Sequence, residues 1–125
     1  MTPTTPTYVY EPAVIPLQLT LTANQPLNLQ KVNIDKDSDF ILTGIHGTST
    51  GSYTINFRLP SGRQFANGTQ IRNTNLVGTA NQPAAIGPEL VYPAGGIGPA
   101  VDITETSGAG NTIEIIFSGL RRFTV

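Results

Sequence analysis

Apolar residues in this chain recur at every second position, in short runs separated by turn residues. In "VIPLQLTLTA", Ile15, Leu17, Leu19 and Leu21 share one phase, while Gln18, Thr20 and Thr22 take the other. That period of two is the signature of a strand with one face buried. After the turn Asn24-Gln25-Pro26 the phase continues through Leu27 and Leu29, then reverses at Val32 and Ile34. The reversal predicts a β-bulge near Gln30 or Lys31. Alternation returns in "DFILTGI" with Phe40 and Leu42, and in "GSYTINFRLP" with Tyr53, Ile55, Phe57 and Leu59. Pro60-Ser61-Gly62 is a turn, from which "RQF" is expected to come back as a hairpin partner, and Asn67-Gly68 marks another turn. The proline- and glycine-rich stretch "IGPELVYPAGGIGPA" reads as a wandering connection with one short edge strand at Leu90-Val91-Tyr92. Val101 and Ile103, then "SGAGN", then Ile113, Ile115 and Phe117 predict a hairpin, closed by Phe123 and Val125.

Nowhere do apolar residues follow helical spacing over eleven residues. The pattern therefore predicts an all-β single domain, an antiparallel sandwich or jelly roll of about eight short strands. Its expected core includes Leu19, Leu21, Phe40, Ile55, Phe57, Ile103, Ile115 and Phe117. The domain is expected to span residues 14–125, preceded by an extended Pro/Thr-rich arm over residues 1–13. Pro3, Pro6 and Pro12 hold this arm out of a helix. Tyr8, Val9 and Tyr10 give it an apolar tip that either folds back or lies across a neighbouring subunit.

Composition narrows the role. The 125 residues can bury one core, with 38% hydrophobic and only 12% charged side chains. A net charge of −1 with seven scattered basic residues gives no footprint for nucleic acid. The absence of cysteine removes disulfides, thiolate ligands and cysteine nucleophiles. The first residues have neither the basic start nor the apolar run of a secretory signal, and no stretch is long and apolar enough to predict a membrane span.

Candidate chemistry is sparse. Asp35, Asp37 and Asp39 alternate like the opening of a calcium loop, but Phe40 and His46 stand where that loop needs glycine and glutamate. The run reads as a solvated turn, with a looser calcium site on one strand face as the alternative. His46 is the only histidine, so a multi-histidine zinc site is excluded, and nothing marks Ser49 or Ser52 as its nucleophile. Gly44, Gly47 and Gly51 lack the lysine of a phosphate loop. Asp102, Glu105 and Glu114 could form an acid pair, yet Asp102 and Glu114 fall on the polar phase and read as a solvated sheet face. Asn67-Gly68-Thr69 matches a glycosylation sequon but reads as a turn. Arg121 and Arg122 suit either an acidic partner surface or a charged edge strand. No catalytic, metal or cofactor residue is expected; the expected partner-binding residues are Tyr8, Val9, Tyr10, Arg121 and Arg122.

The phrases "DSDFILTGI", "GSYTINFRLPSGRQF" and "YPAGGIGPAVDITETSGAGNTIEIIFSGLRRF" resemble small accessory virion proteins of tailed bacteriophages. The resemblance runs over most of residues 14 to 124 and carries no functional residue across. It implies a non-enzymatic sandwich or jelly roll that decorates or cements the capsid in many copies, bridging capsid subunits or other virion proteins. It further implies a homo-oligomer, located in virions that assemble in a bacterial cytoplasm, with neither nucleic acid nor membrane as partner. A carbohydrate- or receptor-binding module of a tail or fibre is the alternative.

Overall fold

A computed structural model describes residues 7–124; residues 1–6 of the expected arm, and Val125, lie outside the described residues. Eight strands and one helical turn follow in chain order. They are β1 (Tyr8–Leu21), β2 (Pro26–Gln30), β3 (Asp39–Ser49), β4 (Tyr53–Phe57), β5 (Ile71–Arg72), α1 (Asn73–Leu76), β6 (Ala84–Tyr92), β7 (Val101–Glu105) and β8 (Asn111–Thr124). Two four-stranded sheets result, one ordered β1-β8-β3-β6 and the other β2-β7-β4-β5. Every pairing between these strands is antiparallel, and an isolated parallel bridge joins His46 to Gly78. Except from β4 to β5, each connection carries the chain from one sheet to the other. Of the two expected architectures, this order is the jelly roll.

The inward phases read from the sequence meet between the sheets. Phe40, Leu42, Ile45, Ile113, Ile115 and Phe117 of the first sheet face Tyr53, Ile55, Phe57, Val101 and Ile103 of the second, all buried. Of the expected core residues only Leu19, on the edge strand β1, is less than fully buried, whereas Leu21 at the end of the same strand is buried. Burial also pushes the Tyr53 hydroxyl up to about 12.

The expected hairpin after Val101 is not one. Its two strands lie in different sheets, β7 between β2 and β4, and β8 between β1 and β3. Alternation reports which face of a strand is buried, not which strand lies beside it. Two strands facing each other across a core show the same pattern as two strands side by side. The other local expectations hold with small shifts. The irregularity in β2 falls between Leu27 and Gln30, with Leu29 at a φ of 52°. "RQF" does return towards β4, through an Arg58–Gln64 bridge and the Phe65 N–H donating to the Phe57 carbonyl at 2.8 Å. The strand paired to β4 is nevertheless β5. The edge strand at Leu90–Tyr92 is the end of the longer β6.

At residue 13 there is no break in secondary structure. β1 pairs with β8 continuously, from Tyr8 opposite Thr124 to Leu21 opposite Asn111. What changes there is burial. Residues 8–12 are exposed in both phases, and alternation of exposure starts at Ala13.

Candidate interaction surface

The register places side chains of the first sheet in rows. Pro12, Leu120, Ile41 and Val91 are successive cross-strand partners, so one apolar row crosses the outer face through all four strands. The next row holds Tyr10, Arg122 and Asp39. Val14, on the same phase of β1, is 55% exposed, and Tyr10 is 51% exposed. An apolar row on a sheet face turned away from the core is what a half-buried sheet ordinarily avoids.

Arg122 organises the polar end of this face. Its Nε and an Nη both donate to one Asp39 carboxylate oxygen, at 3.2 and 2.9 Å. Its guanidinium lies 4.6 Å from the centre of the Tyr8 ring, within reach of a cation–π attraction. Tyr8 and Tyr10 are neighbours, with ring centres 6.4 Å apart. The Ala94 N–H, then Arg122, hold the Asp39 carboxyl below its usual range, and Asp39 in turn raises Arg122.

The five residues expected to bind a partner therefore divide. Tyr8, Tyr10 and Arg122 come together on the outer face. Val9 and Arg121 have the opposite phase, opposite Phe123 and Glu11 respectively. Arg121 there pairs with Asp35 at 3.4 Å, at the mouth of a cleft of about 220 Å³ lined also by Ile15, Ile34 and Phe40.

The acidic run is thus split by its partners. Asp35 goes to Arg121, Asp39 to Arg122 and Ala94, and Asp37 lies 3.4 Å from the Ser38 hydroxyl. Among the described residues no three His, Asp or Glu side chains gather to hold a metal ion.

The other carboxylates hold turns. Glu105, 1% exposed, sits where three connections between the sheets meet. It accepts from the Asn24 N–H at 2.8 Å, the Ser107 N–H at 2.6 Å, the Ser107 hydroxyl, the Gly108 N–H at 3.0 Å and the Asn111 amide at 3.4 Å. Burial pulls its pKa up, but the bonds from Ser107, Asn24 and Gly108 outweigh burial and bring it down to about 2. Asn111 extends the corner by donating to the Ser52 carbonyl and accepting from the Gly51 N–H, both at 3.1 Å.

Asp102 departs from the solvated face expected for it, being 4% exposed. The Arg58–Gln70 segment folds over the outer side of β7, and Asp102 accepts from the Leu29 N–H, Arg58 and Gln64 at 3.0, 3.2 and 3.1 Å. Desolvation raises its pKa, and these bonds together lower it further than that. Glu114 stays near the surface, taking a bond from Gln18 at 2.7 Å. The carboxylates of the supposed acid pair therefore have separate structural tasks.

Sequence reasoning missed the apolar row, because it depends on register. One signal for it was present. Ile41-Leu42 and Leu90-Val91-Tyr92 are unbroken apolar runs, and a strand that does not alternate is apolar on both faces.

No known protein family and no curated protein matches the chain. Among solved structures, the chain matches one described as "Bacillus endospore appendages form a novel family of disulfide-linked pili" at 20% identity, covering 98% of this chain and 92% of that chain, with a TM-score of 0.30. A likeness at that TM-score carries no argument about this protein.

Proposed function

We propose that this chain is a non-enzymatic structural protein that binds neighbours in a many-copy assembly, and that the assembly is a bacteriophage virion, with capsid decoration as its role. The observation that carries the reading is the outer face of the first sheet. There Tyr8, Tyr10 and Val14 are exposed beside a partly exposed Arg122, flanking an apolar row that is exposed at Pro12, half-buried at Leu120 and Val91, and buried at Ile41. Aromatic and arginine side chains around an apolar centre are the groups that supply most binding energy at protein interfaces. The virion itself rests on the sequence resemblance, and the partners follow from it: capsid subunits, other virion proteins or further copies of this chain. The engagement of Glu105, Asp102 and Asp39 in turns and ion pairs supports a non-catalytic reading. A small affinity per copy suffices when many copies sit on one lattice.

Particles banded on a density gradient from cells that produce the protein, analysed by mass spectrometry, test this. The expected result is the chain banding with the shell protein at a comparable copy number, with incorporation reduced in the Tyr8→Ser/Tyr10→Ser variant. A chain that stays in the soluble fraction while particles form overturns the proposal. So does a variant that bands as well as the natural chain.

A further inference from the structure

The two sheets have four edges, and three are short or irregular. β2 has five residues and a register shift, β5 has two residues, and β6 loses register opposite Leu42–Gly44. β1 is different: it is fourteen residues long, regular, and among the described residues paired on one side only. A long regular edge is a template for strand addition and for uncontrolled association. We infer that Pro12 and Pro16 close this edge to a second copy of the chain, leaving its faces as the route of association.

The direction of the proline nitrogens follows from hydrogen bonds at the end of β8. Thr112 exchanges bonds with Thr50, which extends β3: the Thr50 N–H donates to the Thr112 carbonyl at 3.1 Å, and the Thr112 N–H to the Thr50 hydroxyl at 3.0 Å. The backbone of Thr112 thus turns to the β3 side. Backbone groups alternate sides along a strand, so even-numbered residues of β8 face β3 and odd-numbered ones face β1. Through the register, the residues of β1 that bond to β8 are odd-numbered, from Val9 opposite Phe123 to Leu21 opposite Asn111.

The backbone groups of the even-numbered residues point out of the edge: Tyr8, Tyr10, Pro12, Val14, Pro16, Gln18 and Thr20. Both prolines of β1 are in this set. They cost the internal ladder nothing, because no N–H is needed at those positions. They remove two donors from the middle of the open edge, on either side of Val14. An added strand would find carbonyls of its own unmatched at both places, and an unmatched buried polar group is expensive. An antiparallel second copy centred on Val14 would set Pro12 against Pro16, with no donor from either chain.

The test uses the whole chain in solution. Pro12→Thr/Pro16→Thr restores both donors with a strand-forming residue. It is expected to melt cooperatively, at no lower a temperature than the natural chain. It is also expected to sediment as larger species at concentrations where the natural chain does not. A folded variant that sediments like the natural chain overturns the inference. So does a variant that loses cooperative melting, since the prolines would then support the fold and not the edge. A second pair checks the direction. Thr20→Pro should leave melting nearly unchanged, because its N–H points outward. Leu19→Pro should lower it sharply, because its N–H bonds to β8. Equal losses in the two would show the assigned direction to be wrong.

Discussion

At the scale of single residues, this fold depends on a few polar groups placed where the chain changes sheet. The carboxylate of Glu105 gathers donors from three segments, around residues 24, 107–108 and 111. Its pKa falls from an ordinary 4.5 to about 2 on folding, so the folded state holds fewer protons in that interval. The stability this contributes is present above about 4.5 and is lost as the pH falls towards about 2. Melting temperature is expected to drop through that window, more steeply in the natural chain than in Glu105→Gln, measured by scanning calorimetry. Equal slopes would remove Glu105 from the account. Gly119 is constrained by space. A Cβ built there would lie 1.8 Å from the Ile41 carbonyl oxygen, where β3 slips register beside β8. Backbone cannot yield as a flexible side chain would. Gly119→Ala should therefore cost about 1–3 kcal/mol or more in denaturant unfolding, the usual penalty for overpacking.

At the scale of elements, β1 has two halves with different duties. Ile15, Leu17 and Leu19 pack against the core, whereas residues 8–12 are exposed in both phases and touch the sheet mainly through β8. Removing residues 2–12 should leave cooperative melting in place, with a lower midpoint, and should reduce incorporation into particles. Circular dichroism melts and gradient banding of the truncated chain check both. Loss of the fold would mean that the distal half of β1 belongs to the core. The two halves also show what a sequence can and cannot reveal. Faces were legible: the inward phases at Phe40, Ile55, Phe57, Ile103, Ile115 and Phe117 are buried as their period of two implies. Neighbours were not, because partner choice depends on contacts between residues far apart in the chain. That is why β7 and β8 looked like a hairpin, and why Asp102 looked solvated although the Arg58–Gln70 segment covers it. The division between Arg121 and Arg122 needed no partner to be known, since adjacent residues of a strand point to opposite faces.

At the scale of the whole molecule, the first and last strands lie side by side. Leu21 pairs with Asn111, and the ladder runs on to Tyr8 opposite Thr124, so the longest ladder in the fold joins segments far apart in the sequence. β8 also separates β1 from β3 and is central to the first sheet. Ends must meet before their contacts give anything back, and the loop entropy for such closures slows folding. Three consequences can be measured. Refolding followed by stopped-flow fluorescence of the tyrosines should fall in the millisecond-to-second range typical of all-β sandwiches, not the microsecond range of helical bundles. A chain ending at Gly110 should have no cooperative melt at all, since it lacks Ile113, Ile115 and Phe117 and leaves both β1 and β3 unpaired on their inner side. Truncating a single buried Phe typically costs roughly 3–5 kcal/mol, so Phe117→Ala alone should consume much of the roughly 5–15 kcal/mol that holds a small domain folded. If the chain ending at Gly110 still melts cooperatively, β8 is an addition to a domain completed without it, and the jelly-roll order no longer explains the stability.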